Sequence, residues 1–212
     1  MEKFHQLRIE KVLTTFHIKE TTQCSALDEL LTTGEQSLDT IELAIIDLAL
    51  QRYTQRYRGW NEEELKMHFI SSILNVADPY IEGTCKTFFE RPLEGILNNY
   101  KVHVVTDCMI ASYDEGGAPQ KPYFFLQEFK QKQLWGKTDP QGQMLVAMLL
   151  AQDRNADDKF IYGCFVKENN WRFTTLKGLN YCVSRQFDST QKYDLLQIVF
   201  ILRKLKVLIL NR

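Results

Sequence analysis

The sequence predicts an α/β fold, read as one domain in the order α-β-β-β-α-β-β-α. Apolar residues recur at helical spacing over 41–57, 61–77, 141–153 and 192–210. Between these segments lie short runs rich in Val, Ile, Phe and Tyr, bounded by Gly, Pro and Asn, which read as strands. No internal repeat, low-complexity tract or linker divides the 212 residues. That length suffices for one well-cored domain with a small accessory.

Residues 1–20 alternate charged and apolar side chains without a clean period, which fits either a strand pair or an amphipathic helix. Residues 21–36 hold a short helical turn around Leu27–Leu31 and then a Gly break. Ser37-Leu38-Asp39-Thr40 supplies N-cap residues for a helix whose pattern is Ile41, Leu43, Ala44, Leu48 and Leu50. Gly59 stops it. Asn61 caps the next helix, NEEELKMHFISSILNVA, with Glu62, Glu63 and Glu64 in its first turn, where negative charge suits the dipole. Its apolar stripe is Leu65, Phe69, Ile70, Ile73, Leu74 and Ala77. At 100° per residue Glu62 falls inside that stripe, Glu63 at its edge and Glu64 on the far side. First-turn acids facing solvent explain the latter two better than Glu62.

Pro79 ends that helix, and residues 80–100 read as one strand and a loop. KVHVVTDCMIAS follows as a strand buried on both faces. YDEGGAPQKP is a turn. YFFLQEFKQ is the next strand, with its polar residues gathered at its end. Trp135 to Pro140 reads as a loop before the helix QGQMLVAMLLAQD, where Gln143 sits on or beside the apolar face. KFIYGCFVKE and NWRFTTLKG form an antiparallel pair with a polar turn, NYCVSRQF is a third short run, and KYDLLQIVFILRKLKVLIL is a helix apolar nearly all round.

Composition narrows the function classes. Hydrophobic residues at 44% and charged residues at 25% describe an ordinary globular chain. No apolar run approaches the roughly 18 residues of a membrane span. The first 20 residues are too charged for a secretory apolar region, so no membrane and a cytoplasmic location are expected. Five cysteines without a Cys-x-x-Cys pair suggest reduced, buried thiols rather than a disulfide framework or zinc ribbon. A net charge of −1 and a pI near 6.4 lack the basic excess of many nucleic-acid binders. An acidic site would offset basic residues elsewhere.

The stretch Lys101–Lys132 holds the most suggestive chemistry. Residues i and i+2 share a strand face, so Glu128 and Lys130 project together. Asp107 joins them if the two runs are neighbours. Two carboxylates and a lysine converging at a sheet end are parts of a divalent-metal phosphodiesterase site; a strand-end ion-pair cluster is the plain alternative. An acid inside VHVVTDCMI is costly unless paired or metal-bound. His103, four residues before Asp107, could face the same side, with a core or rim role as the alternative. The histidines His5, His17, His68 and His103 share no metal-ligand spacing. Gly116-Gly117 lacks the Lys-Ser/Thr of a phosphate loop. Lys130, Lys132, Lys137 and Arg154, with Trp135 among them, could form a basic aromatic rim or a solvated loop.

The ordered set Glu62, VTD ending at Asp107, QEFK with Glu128 and Lys130, then Gln143, resembles the PD-(D/E)XK nuclease superfamily. NEEELKMHFISSIL, PYFFLQEFKQ, GQMLVAMLLAQ and IYGCFVKENNWRF together look like a bacterial group of small stand-alone members. The resemblance covers about residues 60–175. Thr106 stands where the superfamily's proline would be. The resemblance implies a restriction-endonuclease-like mixed central β-sheet flanked by helices. It divides the chain into a mostly helical N-terminal accessory (1–58), a nuclease core (59–187) and a C-terminal helix (188–212).

It also implies Mg²⁺ or Mn²⁺ held by Asp107, Glu128, the Phe129 carbonyl and Glu62, with Lys130 acting on the attacking water and Gln143 holding the lysine or phosphate. A helix-surface amide is the plain role for Gln143. The function then expected is an endonuclease acting on nucleic acid, DNA ahead of RNA. The alternative is a non-catalytic nuclease-fold module for protein interaction, dimerising through the apolar C-terminal helix.

Overall fold

The computed structural model describes residues 2–5, 7–130 and 139–212. The opening segment forms β1 (Glu2–Lys3), α1 (Ile9–Thr15) and β2 (Lys19–Thr21); the helix is present, but the two short strands pair with distant strands and not with each other. There follow α2 (Ser25–Leu31), α3 (Thr40–Arg56), α4 (Glu62–Leu65), a π-helical turn over Lys66–Ile70, and α5 (Ser71–Ala77). Three long strands come next, β3 (Lys86–Leu97), β4 (Tyr100–Tyr113) and β5 (Pro119–Lys130). The chain ends with α6 (Pro140–Asn155), β6 (Ile161–Lys167), β7 (Asn170–Lys177), β8 (Asn180–Val183), β9 (Phe187–Asp188) and α7 (Lys192–Leu210).

The fold is mixed α/β. The strands form one sheet in the order β1-β4-β5-β6-β7-β8-β2, with β3 also paired to β4 and β9 to β7. The pairs β1–β4, β5–β6 and β2–β8 are parallel and the rest antiparallel. α6 makes the crossover between parallel β5 and β6, as a parallel connection requires. It packs with α1 on a core that includes Val104, Met109 and Leu126, while α2, α3, α5 and α7 meet a second core that includes Phe125 and Phe129. Helices thus cover both faces of a central mixed sheet.

Local chemistry fixes the helix ends. Asp39 caps α3 by accepting from the Ile41 and Glu42 amides, and Glu42 returns a bond to the Asp39 amide. The buried face of α3 is Ile46, Ala49 and Tyr53, whereas Ile41 is 72% exposed and Leu48 is 46% exposed. The expected stripe through Ile41, Ala44 and Leu48 is therefore corrected. The chain has two apolar stripes here, and packing with α5 selects the one ending in Tyr53. The stripe predicted for residues 61–77 is buried throughout.

Asp139 caps α6 through the Gln141 amide at 3.1 Å and also accepts from the Ile9 amide at 2.7 Å, binding α1 to α6. Gly142 lies against the backbone of Leu7 and Ile9, where a Cβ would collide with main chain.

β4 departs from the expectation of a strand buried on both faces. Its first half alternates, with Lys101, His103 and Val105 exposed, and only its second half is continuously buried. Val104 and Met109 pack into the same core although an odd number of steps separates them, and so do Phe88 and Leu93 on β3. Regular strands would send such residues to opposite faces. The phase changes where Glu90 stands across from Asp107. The ladder omits that pair between Phe89↔Cys108 and Arg91↔Thr106, and Glu90 takes φ 51°.

Two further expectations change. Cys24 and Cys182 join as a disulfide between the start of α2 and β8, while Cys85, Cys108 and Cys164 remain free and buried. The uniform expectation of reduced thiols thus fails for residues 158 apart in sequence, whose proximity is set by the parallel β2–β8 pair. α7 buries Leu195, Ile198, Leu202 and Leu205 within the chain and leaves Tyr193, Val207 and Leu210 exposed. Among the described residues no helix is long and apolar enough to cross a membrane.

Candidate functional site

The sequence places an acid at the start of α4, and the cap decides which acid turns inward. Asn61 accepts from the Glu64 amide at 2.9 Å, and Glu64 accepts from the Asn61 amide at 2.7 Å. Glu64 is thereby committed to the helix end. Glu62 lies toward the sheet, its side chain 19% exposed, and accepts from Lys130 Nζ at 3.0 Å. Glu63 is 71% exposed and, among the described residues, pairs with Lys66.

Pairing of β4 with β5 brings Asp107 beside the Glu-x-Lys run, because Cys108 stands opposite Gln127. The Phe129 amide donates to Asp107 Oδ2 at 2.7 Å. Glu128 shares its strand face with Lys130, as the period of two requires. It is fully buried and accepts from Gln143 Nε2 at 2.8 Å, while the same amide donates to the Val105 carbonyl at 3.1 Å. Glu62, Asp107, Glu128, Lys130 and Gln143 therefore gather at one end of the sheet. The Phe129 ring packs away from them, edge-on to Trp171.

Lys66 is not among the residues singled out from the sequence. Its ammonium lies 2.8 Å from Asp107 Oδ1, 2.8 Å from Glu90, 3.0 Å from Glu63 and 3.6 Å from Glu62. The Glu62-Lys66 spacing of one helical turn was the available signal. Glu90 had none, since its position depends on the irregularity opposite Asp107. Lys66 begins the π-turn, a feature frequent at functional sites.

Electrostatics separates the members. Burial acts to lower the Lys66 pKa, but hydrogen bonds to Asp107 and Glu90 reverse this and hold it above the ordinary lysine value. Burial, then the neighbouring Asp107 carboxylate, push the Glu128 carboxyl well above the usual range, with Lys130 and Lys66 opposing. Among the described residues Glu128 Oε1 has no hydrogen-bond partner. An inaccessible acceptor of that kind is costly unless a proton or cation meets it.

No family model matches the chain, and no curated protein matches it.

Other sequence candidates fall elsewhere. His103 is exposed and lies 3.8 Å from Glu94. The change of phase in β4 defeats the period-of-two argument that would align it with Asp107. Arg154 is at the far end of α6 from Gln143, donating to the Glu94 carbonyl and the Tyr123 hydroxyl, so it forms no rim with Lys130. Lys132, Trp135 and Lys137 lie outside the described residues. Thr106 donates to the Arg91 carbonyl at 3.2 Å and serves the strand pair.

The donor set suits a hard divalent cation, which takes carboxylate and carbonyl oxygens. Among the described residues no three His, Cys, Asp or Glu side chains close on one point as a ready cage. Lys66 bridges the acids instead. The fit to Mg²⁺ or Mn²⁺ rests on the unpartnered Glu128 oxygen beside Asp107.

Proposed function

We propose that this chain is a divalent-metal-dependent endonuclease of the PD-(D/E)XK type, with a restriction-endonuclease-like sheet, acting on phosphodiester bonds of nucleic acid, DNA ahead of RNA. The observation that carries the proposal is the gathering of Asp107, Glu128 and Lys130 with Glu62 and Gln143 in one partly buried cluster. That residues separated by up to 81 positions (Glu62 to Gln143) lie in one cluster supports this reading.

Asp107, Glu128, Glu62 and the Phe129 carbonyl would hold Mg²⁺ or Mn²⁺. When bound, the ion supplies charge neutralisation at the phosphate and a more acidic water. Lys130 would position that water and stabilise developing negative charge, its ammonium kept in place by Glu62. Gln143 fixes the Glu128 carboxyl by bridging it to the Val105 carbonyl. Lys66 must give up part of its contact with Asp107 for a metal to enter, because both claim the same oxygens.

One observation favours a second reading, a non-catalytic module of the same fold. Lys66 already supplies positive charge to the acids, as a retired site would require. The two readings separate in a cleavage panel of single-stranded, duplex and branched DNA and RNA with Mg²⁺ or Mn²⁺. Metal-dependent cleavage that Glu128→Ala and Lys130→Ala each abolish supports the endonuclease; cleavage unchanged in both variants sinks it.

A further inference from the structure

A second cluster lies on the other side of the segment that carries Glu62 and Lys66. Arg52, Arg56, Trp60 and His68 line a pocket of ≈ 280 Å³. Arg52 and Arg56 are one turn apart on α3, both exposed, and neither is ion-paired to a described residue. Among the described residues the pocket lining contains no carboxylate. Trp60 is braced on two sides: its ring centroid is 6.0 Å from that of Tyr53, edge-on, and 5.3 Å from that of His68. Tyr53 is in turn packed 4.6 Å from Phe69, so the aromatic floor is anchored in the core.

We infer that this pocket binds single-stranded nucleic acid, with a base against Trp60 and His68 and the flanking phosphates on Arg52 and Arg56. Braced aromatic rings offer a stacking surface at little entropic cost, and guanidiniums match phosphate oxygens in paired geometry. A carboxylate ligand would satisfy the arginines but leave the aromatic floor unused; an apolar ligand would do the reverse. A nucleotide strand uses both.

Position adds to the case. Trp60 precedes Glu62 by two residues, and His68 follows Lys66 by two within the π-turn. The pocket thus draws two of its residues from the same segment, residues 60–68, that supplies Glu62 and Lys66 to the acid cluster. The site also supplies the local positive charge that a chain of net charge −1 does not advertise in its composition. This inference rests on the nucleic-acid reading of the cluster but concerns binding, which is measurable without cleavage.

The test is fluorescence anisotropy of a labelled short oligothymidylate with the full chain in EDTA, across a salt series. Arg52→Ala combined with Arg56→Ala should weaken binding at least tenfold and reduce the salt slope by about 1.4, for two lost phosphate contacts on a single strand. Trp60→Leu should weaken it about tenfold, whereas Trp60→Phe, which keeps a ring, stays close to wild type. An oligouridylate arm separates RNA from DNA. Thermal unfolding of each variant verifies the fold, and the exposed arginine pair keeps the test valid if Trp60→Leu unfolds.

Absence of wild-type binding overturns the inference, as does equal binding by the arginine double variant. Binding that heparin displaces charge for charge and that a folded Trp60→Leu variant retains also overturns it. A protein that binds oligonucleotide through these residues yet cleaves nothing with Mg²⁺ or Mn²⁺ defeats the nuclease reading and leaves the pocket standing.

Discussion

Lys66 Nζ lies 2.8 Å from Asp107 Oδ1, while the opposite oxygen of the same carboxylate accepts from the Phe129 amide at 2.7 Å. Asp107 is thus held from both sides, by a side chain of the π-turn and by the main chain of β5. An ammonium and a divalent ion compete for the same carboxylates, so Lys66→Met should tighten Mn²⁺ binding by roughly tenfold or more, as about 1.4 kcal/mol of competing interaction is removed. The metal-free variant should unfold earlier, because several acids lose their counter-charge. Titration calorimetry with Mn²⁺ measures the first effect; equal or weaker affinity in the variant would refute the competition.

Glu128→Gln tests the cluster from the other side. Glu128 is wholly buried with one oxygen unpartnered among the described residues, so a neutral amide of the same shape removes a buried ionisable acid at little packing cost. Metal-free stability should hold or rise, while Mn²⁺ binding and any metal-dependent cleavage are lost. A fall of more than about 2 kcal/mol in the urea unfolding free energy would show that the carboxylate itself is needed for folding.

Asp188 predicts acid sensitivity away from the site. Burial acts to raise its carboxyl, yet hydrogen bonds from the Thr190 hydroxyl at 2.7 Å and the Asn169 amide at 2.6 Å hold it below the ordinary value. A lowered folded-state pKa gives stability that is present above the unfolded value of about 3.9 and is lost as pH falls through the folded one. Asp188→Ala should therefore destabilise by about 1 kcal/mol at pH 7, discounted for solvent access, and by much less near pH 3. Urea midpoints at the two pH values measure the difference, and a penalty independent of pH would contradict it.

The Cys24–Cys182 link closes a long loop between α2 and β8. Denatured, unreduced protein should titrate three thiols and reduced protein all five. Cys24→Ser should cost about 2–4 kcal/mol, most of it through the unfolded chain. Five titratable thiols without reductant, or no stability change in the variant, would count against the pairing.

Much of the fold was legible because its signals are local. The N-cap role of Asn61 and the stripe from Leu65 to Ala77 follow from helical spacing and cap chemistry. Glu128 and Lys130 share a face by strand periodicity alone. On α3 the same reasoning misjudged Ile41 and Leu48, because two apolar stripes compete and only the packing partner selects one. His103 has the exposed rim role and does not join Asp107, because periodicity assumes an uninterrupted phase and β3 and β4 lose theirs where Glu90 meets Asp107.

By itself the sequence determined the order of the main elements from α3 to α7 and the caps of several helices, since caps, turns and periodicity act within a few residues. Only the tertiary structure decided that Lys66 and Glu90 join Asp107, that Arg52 and Arg56 share a pocket with Trp60 and His68, and that Cys24 meets Cys182. Those contacts depend on how sheet and helices pack across long sequence distances, where no local pattern reports the partner.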